Sequence, residues 1–261
     1  METGGGTLAV EKWMRLADTL GQLGVDVLSE FSITTTSKGF ADPRILAKML
    51  MARTLSNFKG VIFLLGNDLV LEARILARCC YENSFWIAAL VQDGDKFAAK
   101  MRRDDVRSRR SRSEQILTKY HSELPDDIKK TLHGQIRRMN RERSPPKSLN
   151  PQNVARNGPL DRRYEVYSQL SADAGDPSLT SLARYMTRSV ENGQIVLGAD
   201  LFPTPKKEEI LLTWDWACDA VLLACAGVNE ILGGTPAGDR LEAVLKQYNA
   251  LKVRRPRTQA L

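Results

Sequence analysis

The sequence predicts an all-α protein, a multi-helix bundle with one small β-hairpin near residues 187–197. Apolar residues recur every three to five positions through most of the 261-residue chain, the spacing that lines one face of an amphipathic helix. The hairpin is predicted by Asn192-Gly193, a pair typical of type I′ turns, between the segments TRSVE and QIVLG. With 43% hydrophobic residues and no internal repeat, residues 1–250 are expected to form a single helical domain with one large core.

The first three helices follow from this spacing and from residues that start helices. Apolar residues between Leu8 and Phe31 keep helical spacing over about six turns. Asp42 and Pro43 are typical of the N-cap and first position of a second helix. The third helix runs through EARILARCCYENSFWIAAL (72–90).

Helical composition resumes beyond Asp93-Gly94-Asp95, which is read either as a corner or as a kink, and Pro125 starts another helix. Residues 144–159 contain four prolines and few apolar residues, which predicts a long loop or lid. The remaining segments are a short helix at 160–174, a second strongly apolar helix at 205–234 and a last helix at 237–251. A flexible basic tail is predicted at 251–261.

Composition favours a protein of the reducing cytoplasm without a membrane span. Four cysteines in a chain of this length do not make a disulfide framework, and the N-terminus lacks the pattern of a secretory signal. Four ionisable residues inside a membrane would be very costly, so the apolar run 69–91 is expected to be a core helix. These residues are Glu72, Arg74, Arg78 and Glu82.

Basic residues are concentrated in three segments of this chain of net charge +7. Residues 96–112 carry eight basic side chains against two acidic ones, residues 129–143 carry six against one, and the tail KVRRPR adds four. This segregation predicts an anionic partner such as nucleic acid, and helices that only present solvated arginines are the alternative. Aromatic residues are not interleaved there, so stacking on single-stranded bases is not indicated. The expected contact residues are Arg102, Arg103, Arg107, Arg109, Arg110, Arg112, Arg137 and Arg138.

Charged residues of the third helix fall on one ridge. At 100° per residue, Arg74, Arg78 and Glu82 share one face, and Arg78 and Glu82 are close enough to bond each other. The late apolar helix carries acidic residues within one sector, which would pair with this ridge across the bundle core; they are Glu208, Asp215, Asp219 and Glu230. The charges form either an internal ion network or a catalytic site.

Metal and cofactor chemistry are not predicted. His121 and His133, the only histidines, belong to no zinc-binding pattern, and Cys79 and Cys80 are adjacent and point about 100° apart. The chain has no G-x-S-x-G elbow, P-loop or dinucleotide-binding glycine motif. No cofactor is therefore expected.

Three segments together resemble a bacterial all-helical family of unknown function, from about residue 45 to 235. ARCCYENSFW is similar to its R-x-x-x-E helix, YEVYSQLSADAGDPSLTSLARY to its second motif, and WDWACDAVLLACAGVNEIL to its closing helix. The family pattern has a histidine before Pro-Ser, where this chain has Asp176; if that histidine does chemistry in the family, this chain has lost it or uses a carboxylate instead, and if it only caps a helix, Asp is an adequate replacement. The resemblance matches Arg78, Glu82, Tyr167, Ser171, Pro177 and Ser178.

That family is discussed beside HEPN-type helical ribonucleases and abortive-infection proteins, whose catalytic pair is an arginine followed by a histidine four to six residues later. Neither histidine here has such an arginine, because Arg112 precedes His121 by nine positions. The residues therefore weaken the ribonuclease interpretation without removing it.

Three hypotheses for the function remain. The first is an intracellular binding protein or effector, in a stress or phage-defence setting by resemblance, whose basic face meets nucleic acid or another anion. The second is a HEPN-like or carboxylate-dependent nuclease or hydrolase, with candidate catalytic residues Arg78, Glu82, Tyr167 and Asp176 and with Asp219 as a further polar group. The third is a helical module that forms homo-oligomers.

Overall fold

The structure, a computed structural model, describes residues 4–30, 32, 37–140, 148–175 and 178–252. Ten helices lie in these ranges: α1 (Gly4–Ser29), α2 (Pro43–Leu65), α3 (Val70–Asp93), α4 (Asp95–Tyr120), α5 (Asp126–Asn140), α6 (Pro151–Arg156), α7 (Tyr164–Leu170), α8 (Leu179–Leu182), α9 (Lys207–Ile231) and α10 (Leu241–Leu251). Two antiparallel strands, β1 (Met186–Glu191) and β2 (Gln194–Ala199), form the predicted hairpin. The predicted all-α fold with a small hairpin is confirmed.

The core lies between α1, α2, α3 and α9, and α10 closes it against α1 and α9. Its largest fully buried side chains include Phe58, Tyr81 and Trp214. Glycine permits close approach of α2 and α3, because a Cβ at Gly60 would lie 2.5 Å from Leu76 Cδ1. The bundle is thus built around α3 and α9, which pack against each other and against α2.

Helix α9 is long and apolar enough, by length and composition, to cross a membrane. Its most apolar window is however 67% buried inside the bundle, and the helix also carries the buried carboxylates of Asp215 and Asp219. Burial against the other helices accounts for its apolar composition.

The hairpin turns at Asn192 (φ 50°) and Gly193 (φ 79°), both in the left-handed region that a type I′ turn requires. Its register pairs Met186 with Ala199 and Glu191 with Gln194. All twelve strand residues are exposed, so the hairpin extends away from the bundle.

Helices α4 and α5 form an arm that extends from the bundle, and we call residues 95–140 the basic arm. The chain turns a corner at Gly94 (φ 49°), where α3 ends and α4 begins, which decides between the two readings of residues 93–95. Helix α5 packs mainly against α4 and has no buried residue. The bundle contacts the first part of α4, where Phe97 and Ala98 are buried and Asp104 accepts a hydrogen bond from Leu149 N.

The prediction of a loop over residues 144–159 is wrong for residues 151–156, which form α6. The Asn150 side chain accepts a hydrogen bond from Asn153 N at 2.7 Å, and Pro151 occupies the first turn, so the Asn-Pro pair starts a helix. Val154 and Ala155 then bury one face against the core. The predicted flexible tail, from residue 253 onward, and residues 141–147 lie outside the described residues.

Candidate functional site

The fold brings the two predicted halves of the site together on α3. Helix α7 packs against α3 and continues into a π-helical turn, Ser171–Gly175, which packs there too. Turns of this kind are rare and occur frequently at functional sites. The ridge Arg74–Arg78–Glu82 is therefore covered by the segment that carries Tyr167.

Arg74 is a buried structural cation, 3% exposed. Its Nη1 donates to Asp173 Oδ2 at 2.8 Å, and its Nε donates to Thr213 Oγ1 at 3.1 Å. The guanidinium also lies 5.3 Å from the ring centroid of Trp216. Burial lowers the pKa of Arg74, and the Asp173 carboxylate opposes this. The contacts of Arg74 are therefore those of an internal ion network and not those of an open site.

Arg78, one turn further along α3, is only partly buried and incompletely bonded. Its Nη1 donates to the Tyr167 hydroxyl at 3.3 Å, and its guanidinium lies 5.6 Å from the centroid of that ring. Its Nε is buried and has no hydrogen-bond partner in the described part of the chain. A buried donor without a partner is costly, so this atom marks a place where a ligand oxygen would be stabilised.

Glu82 lies on the same side but makes no ion pair with Arg78 among the described residues, so the predicted bond between them is absent. Its charge reaches Tyr167 instead. Burial raises the pKa of Tyr167, the Glu82 carboxylate raises it further, and Arg78 opposes both. Tyr167 therefore stays a protonated hydroxyl beside one cation and one anion.

Asp176 and Pro177 lie outside the described residues, but the chain that leads to them passes over Arg78. A Cβ at Gly175 would lie 3.7 Å from Cζ, Nε and Nη1 of Arg78. Ser171 donates to the backbone carbonyl of Tyr167, and Ser178 caps α8 in a capping box with Ser181. These two serines shape the backbone of the site.

The acidic residues predicted on α9 bond elsewhere or are exposed, so the predicted pairing with the arginines of α3 is wrong; the α9 carboxylate whose charge acts on Arg74 is Glu209. Glu208 and Glu230 are exposed. Asp219 is bonded by Arg163 at 2.8 Å and by the Tyr81 hydroxyl at 2.8 Å. The carboxylate that bonds Arg74 is Asp173, on the π-helical turn, which the sequence analysis missed.

A second buried network thus surrounds Asp215 and Asp219. The Tyr248 hydroxyl donates to Asp215 Oδ1 at 2.7 Å, and burial, reinforced by Asp219, raises the pKa values of both Tyr81 and Tyr248. Both hydroxyls therefore remain donors to the carboxylates. A cavity of about 490 Å³ opens beside the network, lined in part by Arg162, Arg163, Asn249 and Lys252.

Two large cavities of the described chain lie away from Arg78. The larger, about 730 Å³, lies at the base of the hairpin, and the smaller is the one beside Asp219. Neither is lined by Arg78, Glu82 or Tyr167. These three side chains therefore meet under the π-helical turn rather than on the wall of either cavity.

The basic arm exposes most of the arginines that are predicted to contact an anion. Its 46 residues carry thirteen lysines and arginines against seven aspartates and glutamates. Arg110 is half-buried, and the exposed ones are Arg102, Arg103, Arg107, Arg109, Arg112, Arg137 and Arg138.

Some of these arginines are engaged by acidic residues of the same helix. Arg109 pairs with Asp105, and Arg110 Nε lies 2.7 Å from Glu114 Oε1. No described residue pairs with Arg103, Arg107 or Arg112. The arm therefore keeps several cations available to an external anion.

No group of three or more side chains that could hold a metal ion is present among the described residues. His121, just after α4, and His133, on α5, are both exposed. The four cysteines are free thiols.

A family model, described as a family of unknown function (DUF5677), matches residues 44–194 of the chain. The matched part contains α2 to α8 and β1, hence Arg78, Glu82 and Tyr167, but ends before the apolar helix α9 that the resemblance included. No curated protein and no solved structure matches the chain. The resemblance to a helical family of unknown function is confirmed.

Proposed function

Because the chain belongs to the DUF5677 family, whose function is unknown, we propose a function from its own residues. The chain binds nucleic acid or another polyanion through the basic arm. The observation that carries this proposal is the projection of the arm, with exposed Arg103, Arg107 and Arg112 that no described residue neutralises.

The length of the arm suits an extended anion. Helix α4 has 26 residues, which corresponds to about 39 Å at about 1.5 Å per residue. Duplex DNA carries one phosphate charge per about 1.7 Å of its axis, so several arginines along α4 can each reach a phosphate. Arginine is suited to this role because its planar guanidinium binds phosphate oxygens in a bidentate manner.

The contacts would be to the phosphate backbone and would not select a base sequence. Phosphate contacts position a protein on nucleic acid, whereas base edges specify sequence. The arm offers no interleaved aromatic residues for stacking on single strands. We therefore expect binding to DNA and RNA duplexes with little sequence preference.

The test compares the salt dependence of binding in two variants of equal net charge. In the arm variant Arg103, Arg107 and Arg112 become Ser. In the control Lys12, Arg15 and Lys246, exposed on α1 and α10, become Ser. Binding to a short labelled duplex is followed by fluorescence anisotropy between about 50 and 200 mM salt.

We expect the slope of log K against log salt to fall in magnitude by about 2 to 3 in the arm variant, because each lost phosphate contact contributes about 0.9. The control is expected to keep the slope of the unmodified protein. If the unmodified protein does not bind at low salt, or if both variants weaken binding equally, the proposal is wrong.

The proposal extends to the biological setting: a bacterial cytoplasmic effector acting in stress or phage defence. This extension rests on the sequence resemblance and on the proposed polyanion binding, and a protein that does not bind the duplex would contradict it.

Arg78 favours a second candidate function, a carboxylate-dependent nuclease or hydrolase. The specific observation is its buried Nε, which no described residue bonds, next to the Tyr167 hydroxyl and to the segment that leads to Asp176. In this reading Arg78 holds a substrate phosphate, Tyr167 donates a hydrogen bond, and Glu82 or Asp176 acts as the base.

Under this second candidate, Arg78→Ala and Glu82→Gln abolish cleavage of RNA while the thermal midpoint stays within a few degrees. The exposed residue Arg162, changed to Ala, is the control and keeps activity. Lack of cleavage by the unmodified protein contradicts the candidate, and unfolding of either variant assigns its residue a structural role.

A further inference from the structure

The β-hairpin has one apolar face that nothing in the bundle covers. Directly paired residues of an antiparallel ladder share a face, so Met186, Val190, Ile195, Leu197 and Ala199 lie together, with Arg188 among them. Val190 is 70% exposed, Leu197 61% and Ile195 58%. The opposite face is mostly polar, with Thr187, Ser189, Glu191 and Gln194.

An uncovered face of this kind is not expected of a chain that acts alone. A two-stranded hairpin is marginally stable in water unless its apolar face packs on something. Strand β2, QIVLGA, also lacks the charges, prolines and bulges that usually protect an exposed edge. The hairpin therefore has the features of an element that is completed by a partner.

A groove that could receive such an element lies at the base of the hairpin. It is the cavity of about 730 Å³, and its wall includes Leu69, Tyr185, Leu201 and Phe202. Leu201 is 75% exposed and Phe202 86%, so the groove is open and presents large apolar side chains beside charged ones such as Asp68 and Lys206. The hairpin does not fill the groove of its own chain, because all its residues are exposed.

The two surfaces also match in charge. Arg188 is the only charged residue on the apolar face of the hairpin, and no described residue pairs with it. Glu72 lines the groove, is exposed, and has no ion-pair partner among the described residues. A cation on the apolar face of the hairpin and an unpaired anion on the groove wall, where Arg184 and Glu209 already pair with each other, would set the register of docking.

We propose that the chain forms a two-fold dimer in which the hairpin of each copy docks into the groove of the other, with Arg188 paired to Glu72 of the partner subunit. A second copy is the occupant that the surfaces favour, because reciprocal docking covers hairpin and groove in both chains at once. A different protein on the hairpin would leave the groove open. The two-fold dimer is the commonest symmetric arrangement of soluble oligomers.

Sedimentation velocity over a range of protein concentrations tests the dimer. The expected mass is twice 29.2 kDa, and Val190→Asp is expected to produce the monomer. Val25→Asp on α1, which adds a charge at a similarly exposed apolar position, is the control and should leave the dimer intact. A chain that is monomeric at every concentration overturns the proposal, and so does a dimer that Val190→Asp leaves unchanged.

Charge reversal tests the predicted contact. Arg188→Glu and Glu72→Arg should each raise the dissociation constant on the order of tenfold or more, because like charges then meet in the interface. The double variant Arg188→Glu with Glu72→Arg should return it close to the original value. Arg15→Glu, an exposed change on α1, controls for net charge. A double variant no tighter than either single variant overturns the assigned docking.

Discussion

Arg74 and Arg78 are one helical turn apart on α3, yet their surroundings assign them different roles. Arg74 is enclosed and hydrogen-bonded by Asp173 and Thr213. The Arg78 guanidinium donates to the Tyr167 hydroxyl and lies beside Gly175, and its buried Nε has no hydrogen-bond partner among the described residues. Periodicity places both residues on one ridge, and only the contacts from other elements distinguish the fully bonded arginine from the one with an unpaired donor.

Removal of the Asp173 carboxylate should therefore destabilise the protein strongly. Asp173→Ala leaves the buried Arg74 cation without its anion, which costs about 3 kcal/mol of unfolding free energy. Asp105→Ala, which breaks an exposed pair with Arg109, should cost less than about 1 kcal/mol. Urea unfolding of the two variants measures both values. Equal, small losses would show that the Arg74–Asp173 pair does not stabilise the fold.

The partners of the buried charges could not be predicted from the sequence. Arg74, Arg78 and Glu82 were identified as a ridge from their spacing, and Tyr167 from a motif. Asp173 is 99 positions from Arg74, and Arg163 is 56 positions from Asp219. Such contacts depend on how the helices pack, which local spacing does not determine.

At the scale of elements, local signals predicted most of the structure. The Asn192-Gly193 turn fixes the hairpin because two adjacent positive φ angles are needed there, and few residue pairs provide them. At α6 the proline content of residues 144–159 predicts a loop, and that prediction is wrong. Pro151 instead occupies the first helical turn after an Asn cap, the position in which proline favours a helix.

The capping role of Asn150 can be measured directly. Asn150→Ala removes the acceptor for Asn153 N and should lower the unfolding free energy by about 1 kcal/mol. Asn150→Asp keeps an acceptor at the same position and should stay close to the original stability. If both variants lose the same free energy in urea unfolding, the side chain does not act through the cap.

At the scale of the whole molecule, the tyrosine hydroxyls around α9 make the free energy of unfolding depend on pH in the alkaline range. Burial raises the pKa values of Tyr81 and Tyr248 in the folded state, whereas tyrosine in the unfolded chain titrates near 10. Above about pH 10 the unfolded state therefore releases protons that the folded state retains, and unfolding becomes more favourable. Below that pH the contribution of both hydroxyls to stability is fully present.

The urea midpoint is expected to fall as pH rises from about 9 to about 11. Tyr248→Phe should make this decline shallower, although the variant is less stable at every pH because Asp215 loses a donor. Tyr120→Phe, at an exposed tyrosine on α4, should leave the slope unchanged. A slope that is the same in all three proteins would remove the tyrosine network as its cause.

The central position of α9 also sets the time at which this protein can finish folding. Residues 207–231 are synthesised long after α1, yet α1 and α3 both bury apolar faces against them. At about 5 to 20 residues per second, the interval between α1 and the start of α9 is roughly 10 to 35 s. For that time the buried face of α1, which includes Trp13, Leu16 and Leu20, lacks the helix against which α1 mainly packs. The yield of native protein in a cell therefore depends on how well that face is shielded during synthesis.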